Sequence, residues 1–289
     1  MFNNKNIPNN FDMIFISLLK LFCGVFSLFS LLYFTRLLNY DEFALLSLII
    51  VLLTLATQFF GLSFCSAVSL RELSQTSSLI KKNLIIKSSN YLINISTLIG
   101  LFLFTIVLIF FIDIELNVIM LVLFLFVLHL QNNKNELLLL GLGYKKYSTI
   151  LNSIRVTWML FPILFYLIYD NNFFINSLIL WISLELLIFF LGLFKLKKYA
   201  NFFIKCEEKL SFIKSKSKNM LVYFIVSFII VLMIQFQRLL LQYFNVDSQL
   251  ISIFQILSAY FLFIPNMFEQ IMHAIYIKDL IKKISEDPF

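Results

Sequence analysis

Eight apolar runs divide this chain, at roughly 13–34, 43–69, 89–112, 116–133, 147–169, 173–194, 219–241 and 250–277. Each is about as long as the ~20 residues a helix needs to cross a hydrocarbon core. In lipid no water serves the backbone, so every N–H and C=O of such a run must bond within its own segment, and each run is read as a helix. The expected fold is all-α, a polytopic membrane protein of about eight transmembrane helices. Charged residues make up only 13% of the chain and hydrophobic ones 61%, against ~25% charged in ordinary soluble domains. The spans take up most of the 289 residues and leave no room for a soluble catalytic domain.

The connectors alternate in charge. The N-terminal tail, 70–88, 134–146, 195–218 and the C-terminal tail hold nineteen of the 23 Lys and Arg. The opposite set, 35–42, 113–115, 170–172 and 242–249, holds Arg36 alone, with Asp41, Glu42, Asp113, Glu115, Asp170 and Asp247. The positive-inside rule then predicts that both termini face the cytoplasm, as an even number of spans requires. The net charge of +7 and pI of about 9.2 follow from this sorting, and attraction to anionic head groups is a secondary effect. No folded basic domain is present to carry a nucleic-acid role. The first run exceeds the about 7–15 apolar residues of a signal-peptide core and is followed by no small-residue cleavage site, so it is read as a retained span. Cys23 and Cys65 fall in spans and Cys206 in a lysine-rich connector, which predicts no disulfide framework. Without clustered His or Cys, no metal site and no cofactor are expected. The abundance of Phe, Ile, Leu, Asn and Lys points to an AT-rich bacterial gene.

The longest break, 195–218, carries Lys195, Lys197, Lys198, Lys205, Lys209, Lys214, Lys216 and Lys218. It predicts a first six-helix bundle over 1–196, a basic cytoplasmic linker over 197–218 and the start of a second bundle over 219–289. An internal echo agrees. The first span ends Arg36-Leu37-Leu38 before an outer turn with Asp41 and Glu42; the seventh ends Arg238-Leu239-Leu240 before a turn with Asp247. Both helices run from inside to outside, as in transporters whose halves are parallel repeats.

The segment Phe34-Thr35-Arg36-Leu37-Leu38, followed by Asp41-Glu42-Phe43-Ala44-Leu45-Leu46-Ser47-Leu48, resembles the first helix turn of polysaccharide-unit flippases. These are the O-antigen and capsule translocases of Wzx type, in the multidrug/oligosaccharidyl-lipid/polysaccharide exporter superfamily. Gly61 to Ala67 with Arg71 is similar to the end of their second helix. Leu140 to Tyr147 is similar to their connector between helices four and five, and Arg238 to Asp247 to their seventh helix and outer turn. The resemblance implies two bundles around a central cavity, a polyprenyl-diphosphate-linked oligosaccharide as the substrate, and partners among the polysaccharide-assembly membrane proteins. It also implies twelve or more helices, so the eight expected here correspond to a full first bundle and the opening of a second, with a complementary chain as one way to complete it.

Ionisable residues inside a span cost ~2.5–3.5 kcal/mol on insertion scales and usually face a cavity or a partner. Lys20, Arg155, Glu185 and Glu269 are such residues, from spans one, five, six and eight. Each lies ~10–15 Å from the lysine-rich end of its span at 1.5 Å per residue. Two cations and two carboxylates in one layer predict a polar ring in which Arg155 and Lys20 meet a diphosphate. Glu185 and Glu269 would hold those cations when the site is empty, or bind a coupling ion. The alternative is a purely structural pair such as Arg155–Glu185. Arg36 and Arg238, at the outer ends of equivalent helices, either flank the outer opening of the cavity or snorkel to the interface. His273, one turn after Glu269, is a candidate relay partner, whereas His129 reads as an interfacial polar residue. Pro162 and Pro265 predict kinks.

The function expected is non-enzymatic: a flippase that moves the glycan and diphosphate through a polar cavity while the lipid tail stays in the bilayer. The first alternative is a cation-coupled multidrug or metabolite exporter of the same superfamily, which would depend on Glu185 or Glu269 more than on Arg155 and Lys20. The second is a membrane glycan polymerase or acyltransferase. Polymerases of this pathway tend to carry a large outer loop, whereas the longest outer connector here has about eight residues, and no nucleophile–base constellation is present.

Overall fold

The computed structural model describes residues 10–111, 115–166, 172–199, 205–243, 246–254 and 256–258. The helices are α1 Asn10–Leu37, α2 Tyr40–Phe59, α3 Leu62–Gln75, α4 Leu79–Phe111, α5 Leu116–Gly141, α6 Lys145–Val156, α7 Leu160–Tyr166, α8 Phe173–Leu196 and α9 Cys206–Tyr243, with a 3-10 turn at Lys197–Tyr199. Among the described residues there is no strand. Five helices, α1, α2, α4, α5 and α8, are long and apolar enough to cross a membrane, and α6 with α7 makes a sixth if the bent pair is one span. The eight spans expected therefore become five or six among the described residues. The seventh run lies within α9, and the eighth falls mostly outside the described residues, with 248–254 helical at its start.

The distribution of polarity is the reverse of a soluble protein's. Phe29, Phe102, Phe110 and Phe194 are 65–77% exposed, while Lys20, Asn132, Asn135 and Glu185 are at most 6% exposed. Lipid accepts the first set and rejects the second, so the polar side chains turn into the bundle. Hydroxyls on the spans bond back to the preceding turn: Ser30 to the Phe26 carbonyl, Thr54 to Ile50, Thr97 to Ile93 and Thr105 to Leu101. This satisfies them where no water can.

The second apolar run, 43–69, is two helices. α2 starts with a capping box, in which the Asn39 side chain accepts from the Glu42 N–H at 2.7 Å and the Glu42 carboxylate accepts from the Asn39 N–H at 3.2 Å. It ends at Gly61, whose φ of +141° is open to glycine and strained for other residues. The Phe60 carbonyl left by the break accepts a bond from Ser96 of α4. Gly61→Ala should lower stability by about 1–3 kcal/mol, since its Cβ would also sit 2.9 Å from Ile93 Cδ1. Thermal unfolding in detergent would show this, and an unchanged midpoint would refute the strain.

The connectors at the lysine-rich end are helical over much of their length. α4 already begins at Leu79, α5 continues to Gly141, and α9 runs unbroken from Cys206 into the seventh apolar run over 38 residues. The boundary expected at 196/197 falls on the 3-10 turn. α9 packs against α2, α3 and α4. Lys216 of α9 pairs with Glu72 of α3 at 2.5 Å, and Lys209 lies 5.9 Å from the centre of the Tyr91 ring on α4.

The fifth run bends by 47° between α6 and α7. The cause is Pro162, which has no N–H to give the Trp158 carbonyl and whose ring crowds it. The backbone switches there to three-residue turns, Leu160 N–H to Thr157 at 3.0 Å and Phe161 N–H to Trp158 at 3.2 Å. Pro265 lies outside the described residues. Trp158, in the bend, stacks on Trp181 of α8 with ring centres 4.1 Å apart and planes 8° from parallel, and Phe34 of α1 meets its edge at 5.8 Å. At the middle of the molecule is α5, which packs against α8, α3, α4, α6 and α2.

Candidate functional site: a buried charge cluster

Because α5 is surrounded, the polar side chains of its lysine-rich half lie against neighbouring helices. His129, Asn132 and Glu136 fall at spacings of three and four residues, so they share one face of α5. That face meets Arg155 of α6 and Glu185 of α8. Lys20, Arg155 and Glu185 lie ten or eleven residues from the lysine-rich ends of α1, α6 and α8, a depth of about 15 Å at 1.5 Å per residue.

Glu185 is fully buried and tightly held. Asn132 Nδ2 donates to its carboxylate at 2.5 Å and to its backbone carbonyl at 2.7 Å, and His129 Nδ1 lies 3.2 Å from the other carboxylate oxygen. With Nδ1 donating to Glu185, the neutral His129 ring presents Nε2 as an acceptor toward Arg155, whose Nη2 lies 3.4 Å away. Arg155 also places Nε 3.5 Å from Glu185 and Nη1 3.7 Å from Glu136. Charge-assisted hydrogen bonds are usually about 2.7–2.9 Å long. Three different partners thus surround the guanidinium, each at longer range than its fork makes with a well-seated anion. Lys20 is nine-tenths buried on α1 and donates to Asn152, one turn before Arg155 on α6. A crevice lined by Asn132, Asn135, Glu136, Leu151, Arg155 and Ile188 lies beside the cluster, too tight in this conformation to admit a water-sized group.

Three of the residues singled out from sequence, Lys20, Arg155 and Glu185, converge here, and Arg155 and Glu185 are direct partners. Arg36 does not join them; it is exposed in the last turn of α1, at the opposite end of that helix. Arg238 lies on α9 with its side chain outside the described part, and Glu269 and His273 lie outside the described residues altogether. Sequence reasoning missed Asn132 and Glu136 and placed His129 at the interface, whereas His129 bridges Arg155 to Glu185. The signal was present in the three- and four-residue spacing of these residues, but Gln131, Asn133, Lys134 and Asn135 lie among them and mask it as a polar helix end. Among the described residues no group of three His, Cys, Asp or Glu is placed to hold a metal ion. Cys23 and Cys206 are free thiols.

The fold and this site define an all-α polytopic membrane protein with a charge cluster inside its helix bundle. The chain matches no family model, no curated protein and no solved structure.

Proposed function

We propose that this chain is a non-enzymatic flippase that moves polyprenyl-diphosphate-linked oligosaccharide units across the bacterial inner membrane for O-antigen or capsule assembly, with both termini in the cytoplasm. The observation that carries the reading is the state of Arg155. It lies inside the bundle, half-way up from the lysine-rich end, with a crevice beside it and contacts of 3.4, 3.5 and 3.7 Å. A diphosphate would offer it two parallel bonds of about 2.8 Å, a better match to the planar fork than the present partners. Lys20, one helix away, would add a second positive charge. Glu136 and Glu185 balance the two cations in the absence of substrate, so the cluster is electrically neutral at rest and cationic toward a ligand only when the carboxylates yield. The sorted lysines support cytoplasmic termini, and the patches of flippase-like sequence support the substrate class.

The test is export in cells lacking their own flippase. The full chain should restore surface glycan. Arg155→Lys keeps the charge but loses the fork, and should cut export about tenfold, equivalent to one lost bidentate contact of about 1.4 kcal/mol, at unchanged protein level in the membrane. Wild-type export by Arg155→Lys and Arg155→Ala alike would rule out the site, and no export by the full chain would rule out the function.

One observation favours the cation-coupled exporter: the carboxylate of Glu185 is fully buried and linked through His129 to Arg155. In that reading Glu185→Gln abolishes export while Arg155→Lys leaves it intact.

A further inference from the structure

The cluster explains Arg155, Glu185, His129 and Lys20, but not Asn135. This residue lies on α5 one position before Glu136 and is 2% exposed. Among the described residues neither its amide nitrogen nor its amide oxygen has a hydrogen-bond partner, and the same holds for the side-chain oxygen of Asn132. Both residues line the crevice beside Arg155, which is closed to a water-sized group in this conformation, so a ligand reaches them only as α5, α6 and α8 separate. Buried amides normally find partners, and leaving one unpaired inside a helix bundle is costly. The surroundings are built to keep the amide there. Gly192 of α8 faces it, and a Cβ at that position would stand 3.2 Å from Asn135 Cβ and 3.3 Å from its amide nitrogen. On the other side Ser148 of α6 donates to the Glu136 carbonyl at 3.1 Å, which holds α6 against this turn of α5.

The geometry points to Asn135 and the Asn132 carbonyl as a neutral subsite beside Arg155 that binds the hydroxyl groups of a phosphorylated sugar. The chemistry selects this class. Asn132 has committed its N–H₂ to Glu185 and has only an acceptor left. Asn135 brings two N–H donors and one acceptor. An anion alone would use the Asn135 N–H donors but leave both amide oxygens unpaired, and a cation would face Arg155. An apolar group would leave every one of these bonds unmade. A hydroxyl donates and accepts at once, so adjacent hydroxyls next to a phosphate satisfy the amides and the guanidinium together. The inference deepens the flippase reading and rests on it for the substrate class, but it concerns binding rather than movement.

The test uses the full chain purified in detergent, melted with glucose 1-phosphate or with inorganic phosphate at matched ionic strength. The wild type should be stabilised more by the sugar phosphate than by phosphate. Asn135→Leu, similar in volume, removes the unpaired amide. It should melt higher than wild type without ligand, keep the phosphate shift and bind glucose 1-phosphate about tenfold more weakly. A lower melting point for Asn135→Leu would mean that the amide has a structural partner, and would overturn the assignment. A higher melting point with the sugar preference intact would mean that the amide serves a buried water only, and overturns it too. So does a wild type with no preference for the sugar phosphate. If the preference depends on Asn135 but the full chain exports no glycan, the flippase reading fails and the subsite stands.

Discussion

Replacing Glu185 by Ala should destabilise the protein by about 3–5 kcal/mol, the range found when one partner of a buried ion pair is removed. Glu185 is fully buried. Its loss strands Arg155 beside a single more distant carboxylate, Glu136 at 3.7 Å. It also leaves the His129 N–H and one Asn132 hydrogen unpaired, since both now bond its carboxylate. These groups gain little from water, because α5 is packed by α8, α3, α4, α6 and α2 and the His129 and Arg155 side chains are only 18% and 13% exposed. The apparent melting midpoint in detergent should drop by about 10 °C, at roughly 2–4 °C per kcal/mol for a chain of this size. Glu185→Gln should cost less, because an amide oxygen can still accept from Asn132. Glu185→Leu combined with Arg155→Leu should recover most of the loss, since a hydrophobic pair often replaces a buried ion pair at little cost. If Glu185→Ala melts like wild type, the carboxylate is not the centre of this network.

The second large effect is expected at Trp181. This ring is 4% exposed and stacks on Trp158, which sits in the 47° bend between α6 and α7. The bend leaves the backbone there in three-residue turns, so the stack on α8 is what fixes its angle. Trp181→Ala should cost about 3 kcal/mol, the low end of the ~3–5 found for large aromatic deletions. The low end applies because lipid is as apolar as the core, so the loss is packing rather than transfer from water. Trp181→Phe should cost less than about 1.5 kcal/mol, because a ring remains against Trp158 and the indole N–H has no hydrogen bond to lose among the described residues. Differential scanning fluorimetry of the two variants is the check. Equal losses for Ala and Phe would show that the contact is not a ring stack.

How much of this was legible beforehand differs by level. The all-α membrane fold was legible because lipid imposes it: a run such as 173–194 has one way to satisfy its backbone there, and α8 spans Phe173–Leu196. The break at Gly61 was not seen, because hydropathy is blind to φ, and Leu62 to Ala67 continue the apolar run without interruption. The helical character of 79–88, 134–141 and 206–218 was hidden for a related reason. Lysines there were informative about sidedness, and lysine is equally at home in a helix and in a loop. The depth of Lys20, Arg155 and Glu185 could be counted along each helix. Which of them touch could not.

The amino-acid sequence by itself determined the solvent of this protein, the helical state of its spans and the level at which its buried charges lie, because each follows from distance along a single helix. Only the tertiary structure decided that His129, Asn132 and Glu136 close around Arg155 and Glu185, and that Arg36 stays apart. Those outcomes depend on how α5, α6 and α8 are rotated about their own axes. That rotation is set by the summed packing of large side chains such as Phe126, Trp158 and Trp181, and no single segment contains it.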